Sequence, residues 1–172
     1  MSAEVMVLRV IHLLGGIFWV GGMMFMTFFL MPVLAGLGPA AAPVMGGLNQ
    51  KRFPIVMPIV ALLTILSGLR LLMIMSASFG AGYFQSPVGK TLSMAGGLAI
   101  VAFVFGLAIV RPAMMKSVAL GQQMAAASDD ASRSRIAGEM ASTRKRGAMG
   151  NVIVLVLLLL SALGMAVGRY TG

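Results

Sequence analysis

The chain has no cysteine, four acidic residues, one histidine and one tryptophan in 172 positions. The missing cysteine excludes disulfides, thiolate metal sites and thiol nucleophiles. Charge is scarce too: 10% of residues are charged, against about 25% in an ordinary soluble domain. What fills the space is apolar, with 59% hydrophobic residues and a mean hydropathy of +1.00. No inter-span segment is long enough for a soluble catalytic domain. The net charge of +9 reports membrane topology in such a chain and does not point to nucleic acid.

The apolar residues come in long blocks. Residues 10–34 hold no ionisable group but His12, and 53–69, 91–110 and 151–168 hold none. Each block approaches the roughly 20 residues of a bilayer-spanning helix. The expected fold is all-α: a polytopic membrane protein with a four-transmembrane-helix bundle and a single membrane domain over residues 1–172. The spans are expected at about 4–34, 53–76, 87–112 and 150–169. The first carries Glu4 and an apolar run too long for a cleaved signal, so it is expected to be a retained helix. "GLGPAAAPVMGG" reads as a turn-rich connector, and Pro54 and Pro58 fall in the first turns of the second span. Ser86-Pro87 marks a helix start: a capping hydroxyl, then proline at the first helical position. The third span continues to about 127, and a helix over about 129–147 leads into the fourth. Ser128-Asp129-Asp130 places acids at that helix's positive end, with Asp129 and Arg133 spaced as i,i+4 partners. Helices 3 and 4 thus extend into a helical hairpin.

Lysine and arginine set the orientation. Lys51, Arg52, Arg111, Lys116, Arg133, Arg135, Arg144, Lys145 and Arg146 fall on one side; Arg9, Arg70, Lys90 and Arg169 fall on the other. The first side is expected to be cytoplasmic, in a bacterial inner membrane, with both termini outside.

Four basic or potentially basic groups then share the outer third: Arg9, His12, Arg70 and Lys90, with Glu4 as the one acid nearby. Ionisable groups at membrane depth are costly and suggest a site. The cations suit an anionic ligand such as the propionates of haem. His12 and Trp19 are seven residues apart, close to one line on the helix, and glycines 15, 16 and 22 flank that line. Met73, Met75 and Met94 fall in the same outer half and are candidate sixth ligands beside His12, since a His/Met pair can hold haem iron. Soft thioethers also suit Cu(I). Against this stand plainer roles: snorkelling for the three cations, packing for Trp19, gap-filling for the methionines and a carbonyl hydrogen bond for His12.

"LRVIHLLGGIFWVGGMMF" and "SPVGKTLSMAGG" resemble, over the first and third helices, the four-helix membrane family related to the copper-resistance D domain and the HemJ-like protoporphyrinogen oxidases. The resemblance implies b-type haem in the bundle and porphyrinogen oxidation, with His12 and Lys90 as functional residues, or a role in copper uptake. The chain departs from that pattern in having a single histidine, so bis-histidine ligation within one chain is impossible. Three functions follow as expectations: a haem b redox protein, a non-catalytic subunit or assembly factor of a larger membrane complex, and a copper-handling protein. The partners expected are membrane lipids and either further copies of the chain or other subunits.

Overall fold

A computed structural model describes residues 2–171. No strand occurs among them. Five helices carry the architecture: α1 (Ala3–Gly36), α2 (Ala41–Gln50), α3 (Phe53–Phe79), α4 (Pro87–Ala126) and α5 (Asp130–Val167). All but α2 are long and apolar enough to cross a membrane.

The ends of the helices follow from local chemistry. The Ser2 hydroxyl accepts the Val5 N–H, and Pro54 sits in the first turn of α3, where its missing N–H costs nothing. Ser86 caps α4 by accepting the Gly89 N–H at 3.1 Å, with Pro87 next in line. Asp129 caps α5 by accepting the Ser132 N–H at 2.8 Å. That bond holds the Asp129 carboxyl below its usual pKa. It also corrects the expected Asp129–Arg133 pair. Asp129 has extended backbone and faces back over the new helix, so Arg133 reaches Asp130 at 3.8 Å and the Ala127 carbonyl at 3.2 Å instead.

A second difference lies in the connector after the first span. Residues 41–50 form the helix α2, entered through a 3-10 turn at Gly38–Ala40. Ala41 and Met45 on one face pack with Leu34, Met114 and Val118. That burial offsets the turn-forming tendency of its glycines.

The spans form two close pairs, α1 with α3 and α4 with α5. Small residues set the approach in the second pair: a Cβ on Gly164 would stand 3.0 Å from the Ala95 Cβ, and Ser161 donates to the Ala95 carbonyl at 2.7 Å. The pairs meet through Trp19, Met57, Ala61, Ala99, Ala102 and Val154. Outside, large apolar side chains such as Leu13, Phe29 and Leu163 are about 60% exposed, as lipid-facing residues are. Beyond the apolar stretch α4 and α5 continue as a hairpin, closed by Leu120, Ile136 and Met140 and by Lys116 and Arg135 on Glu139.

Two spans carry a π turn, at Met26–Leu30 in α1 and Gly106–Val110 in α4. Each ends on an i→i−5 bond, Met31 N–H to the Met26 carbonyl and Arg111 N–H to the Gly106 carbonyl. In both cases the next residue is proline, Pro32 or Pro112. A proline ring collides with the carbonyl four residues back and brings no N–H. The backbone widens by one residue to accommodate it. Both wide turns border the same cavity.

Candidate functional site

His12 projects from α1 onto α3. Its Nδ1–H donates to the Thr64 carbonyl at 2.8 Å. A carbonyl only accepts, so in the neutral ring this bond fixes the proton on Nδ1 and leaves the lone pair on Nε2. The ring lies over Gly68, where a Cβ would stand 2.6 Å from His12 Cε1. One turn on, a Cβ on Gly15 would overlap the Thr64 hydroxyl. The polar groups of this seam are satisfied within α3: Thr64 Oγ1 donates to the Val60 carbonyl at 2.8 Å and Ser67 Oγ to the Leu63 carbonyl at 2.7 Å.

The other residues singled out from the sequence are engaged elsewhere or exposed. Arg70 binds Glu4, with Nη2 and Nε at 2.7 and 2.8 Å from one carboxylate oxygen. Arg9 and Lys90 are exposed. Met73 and Met94 are 59% and 71% exposed, whereas Met75 accepts a weak, 4.0 Å contact from the Tyr83 hydroxyl. Burial pushes that phenol's pKa up. Trp19 is 5% exposed and meets Phe103 edge-to-face at 6.4 Å. It belongs to a different place.

That place is a cavity of about 320 Å³ towards the basic end of the bundle. Trp19 and Phe103 lie at its inner end. Every helix supplies it with methionine: Met26 and Met31 from α1, Met45 from α2, Met57 from α3, Met114 from α4 and Met140 from α5. Phe103 precedes Arg111 by eight residues, about 12 Å along a helix, and Arg111, Arg144 and Lys145 line the opposite end. Asn151 lines the wall between them and Thr143 lies beside Arg144 at the mouth, 3% and 7% exposed. Neither side chain makes a hydrogen bond among the described residues. Arg144 donates through Nη1 and Nη2 to the Gly38 carbonyl at 3.4 and 3.3 Å, tying the start of the α1–α2 connector across the mouth.

All four acids are engaged elsewhere: Glu4 with Arg70, Asp129 at its cap, Asp130 with Arg133, and Glu139 with Lys116 and Arg135. Among the described residues the cations at the cavity mouth therefore pair with no Asp or Glu side chain. From the sequence only Trp19 among the cavity residues stood out. The usable signals for the rest were Pro112 at the junction of an apolar run with Arg111, and Asn151 as the first residue of the last apolar block.

The arrangement offers an apolar, deformable chamber with a polar wall and a cationic mouth. No group of three or more His, Cys, Asp or Glu side chains able to hold a metal occurs among the described residues. No family model, curated protein or solved structure matches the chain.

Proposed function

We propose that the chain is an integral protein of a bacterial inner membrane that binds an apolar ligand in the methionine-lined cavity, with the basic end in the cytoplasm and both termini outside. The excess of lysine and arginine at one end supports that orientation, and the α4–α5 hairpin then projects into the cytoplasm. The observation that carries the binding reading is the chamber itself. Its 320 Å³ falls at the lower end of the about 300–1,000 Å³ typical of small-molecule sites. A lining of methionines from every helix suits such a site, since unbranched thioether side chains reshape at low cost around varied apolar guests. A Cu(I) ion would also find thioethers here, but a mouth formed by Arg111, Arg144 and Lys145 repels a cation.

Trp19 is the only tryptophan and lines the chamber, so its fluorescence reports on this one place. A brominated acyl chain, which quenches indole on contact, is expected to quench Trp19 saturably in detergent, at about one chain per protein. Quenching that rises linearly with brominated detergent and never saturates would show contact from the surrounding micelle only, and would remove the reading.

A second reading keeps His12 as a haem b ligand for redox chemistry of the porphyrinogen type. One observation favours it: the Nδ1–H bond to the Thr64 carbonyl is how a ligating histidine is commonly oriented, with Nε2 left for a metal. The Arg70–Glu4 pair weakens it, because that cation already has a partner. A reduced-minus-oxidised spectrum with a sharp α band, lost in His12→Ala, would establish it. A colourless preparation after haem supplementation would exclude it.

A further inference from the structure

We infer that the ligand of the cavity is a single-chain amphiphile with an anionic head, a carboxylate or a phosphate, bound with its chain towards Trp19 and its head at Arg111, Arg144 and Asn151. This rests on the reading of the cavity as a binding site and adds the class of molecule.

Two independent features point to an anion, and a third to a polar head group. The first is charge balance. Arg111, Arg144 and Lys145 border the mouth, and every Asp and Glu side chain is committed elsewhere. No Asp or Glu side chain among the described residues supplies the countercharge.

The second is the state of Arg144. It is half-buried and its two terminal nitrogens share one neutral acceptor, the Gly38 carbonyl, at 3.3 and 3.4 Å. Charge-assisted bonds from a guanidinium to an anionic oxygen are shorter, about 2.7–2.9 Å, and about twice as strong as neutral ones. Two oxygens of a carboxylate or phosphate match the fork of a guanidinium where one carbonyl does not. Gly38 is thus a weak occupant of a position that fits an anion, and ligand and connector compete for the same side chain.

The third is Asn151. It is 3% exposed and lines the cavity, yet its amide has no partner among the described residues. Its amide atoms are not among the fully buried, unpartnered polar atoms of the described residues, so they border the cavity space. It lies seven residues from Arg144 on α5, about 10 Å deeper along the helix axis. There it can donate to the ester or acid oxygens of a head group whose charge sits nearer the mouth. Beyond Asn151 the lining is apolar through to Trp19, as a hydrocarbon chain requires.

The test uses the full chain in nanodiscs of unbrominated zwitterionic lipid, with Trp19 quenching as the readout. Three brominated probes share one chain: a fatty acid, a lysophosphatidate and the fatty acid's methyl ester. The acid or the lysophosphatidate is expected to quench half-maximally at a concentration about tenfold below the ester. Arg144→Gln is expected to abolish that preference while leaving the ester unchanged, a loss matching one charge-assisted hydrogen bond. Should Arg144→Gln fail to fold, Arg111→Gln asks the same of an exposed rim residue. Preference for the acid assigns a fatty acid, and preference for the phosphate assigns a phospholipid source. Equal quenching by all three probes would overturn the anionic head but keep the apolar site. No saturable quenching by any would overturn both.

Discussion

Gly89→Ala is expected to be the most damaging single-methyl substitution in the chain. A Cβ at this position would overlap the Tyr83 carbonyl oxygen and stand 2.7 Å from its carbon and 3.1 Å from the Phe84 Cα. All three are backbone atoms, so no rotamer change relieves the contact. The same carbonyl already accepts the Ser86 hydroxyl at 2.6 Å, and Ser86 in turn caps α4 through the Gly89 N–H. Moving the turn to admit a methyl breaks the cap and displaces Tyr83, which is 5% exposed beneath it. The expected cost is about 3 kcal/mol or more, at the upper end for inserting atoms into packed structure. Gly97→Ala is the control: on the same helix it is exposed and has nothing within 4 Å of its added Cβ. Thermal unfolding in detergent, followed by the monodisperse fraction on size exclusion, should separate them. A Gly89→Ala protein with an unchanged Tm would mean that the Gly80–Ser86 turn is not packed as described.

The four spans and the starts of α4 and α5 were legible because each rests on strong local chemistry. An uninterrupted apolar run has few places to go other than lipid or a core, and Ser86-Pro87 and Asp129 supply groups that only a helix start needs. The helix α2 was less legible. Its glycines and Pro43 are turn residues by propensity, and only packing of Ala41 and Met45 on Met114 and Val118 decides otherwise. The same limit hid the candidate site. Attention goes naturally to rare residues, here His12, Trp19 and the outer cations. His12 instead spends a hydrogen bond in the α1–α3 seam, and Arg70 is taken by Glu4. The cavity is made of common residues. Its methionines are scattered over all five helices, and it borders the two turns widened ahead of Pro32 and Pro112. Neither the spread of lining residues nor the backbone widening leaves a periodic trace in the sequence.

Asn151→Leu is expected to weaken binding of the anionic probe without lowering the stability of the ligand-free protein. Most core substitutions destabilise, so an undiminished Tm carries the argument. The wild-type residue is 3% exposed in an apolar wall, and its amide, unpaired among the described residues, borders the cavity space. Leucine has the same branched shape, no polar atom and a larger volume that the adjoining cavity takes up, so it breaks no hydrogen bond of the fold and opens no void. A Tm equal to or above that of the wild type is therefore expected for the variant in a mild detergent. Trp19 quenching by the brominated acid should weaken at the same time, because the head group loses a donor. Asn151→Asp separates donation from size: it keeps the shape, replaces the donor by a carboxylate facing the incoming anion, and should abolish the preference for anionic probes outright. A fall in Tm for Asn151→Leu would show that the amide serves the fold through a partner of its own. An equal or higher Tm with weaker binding would mark Asn151 as a residue that serves the ligand and not the fold.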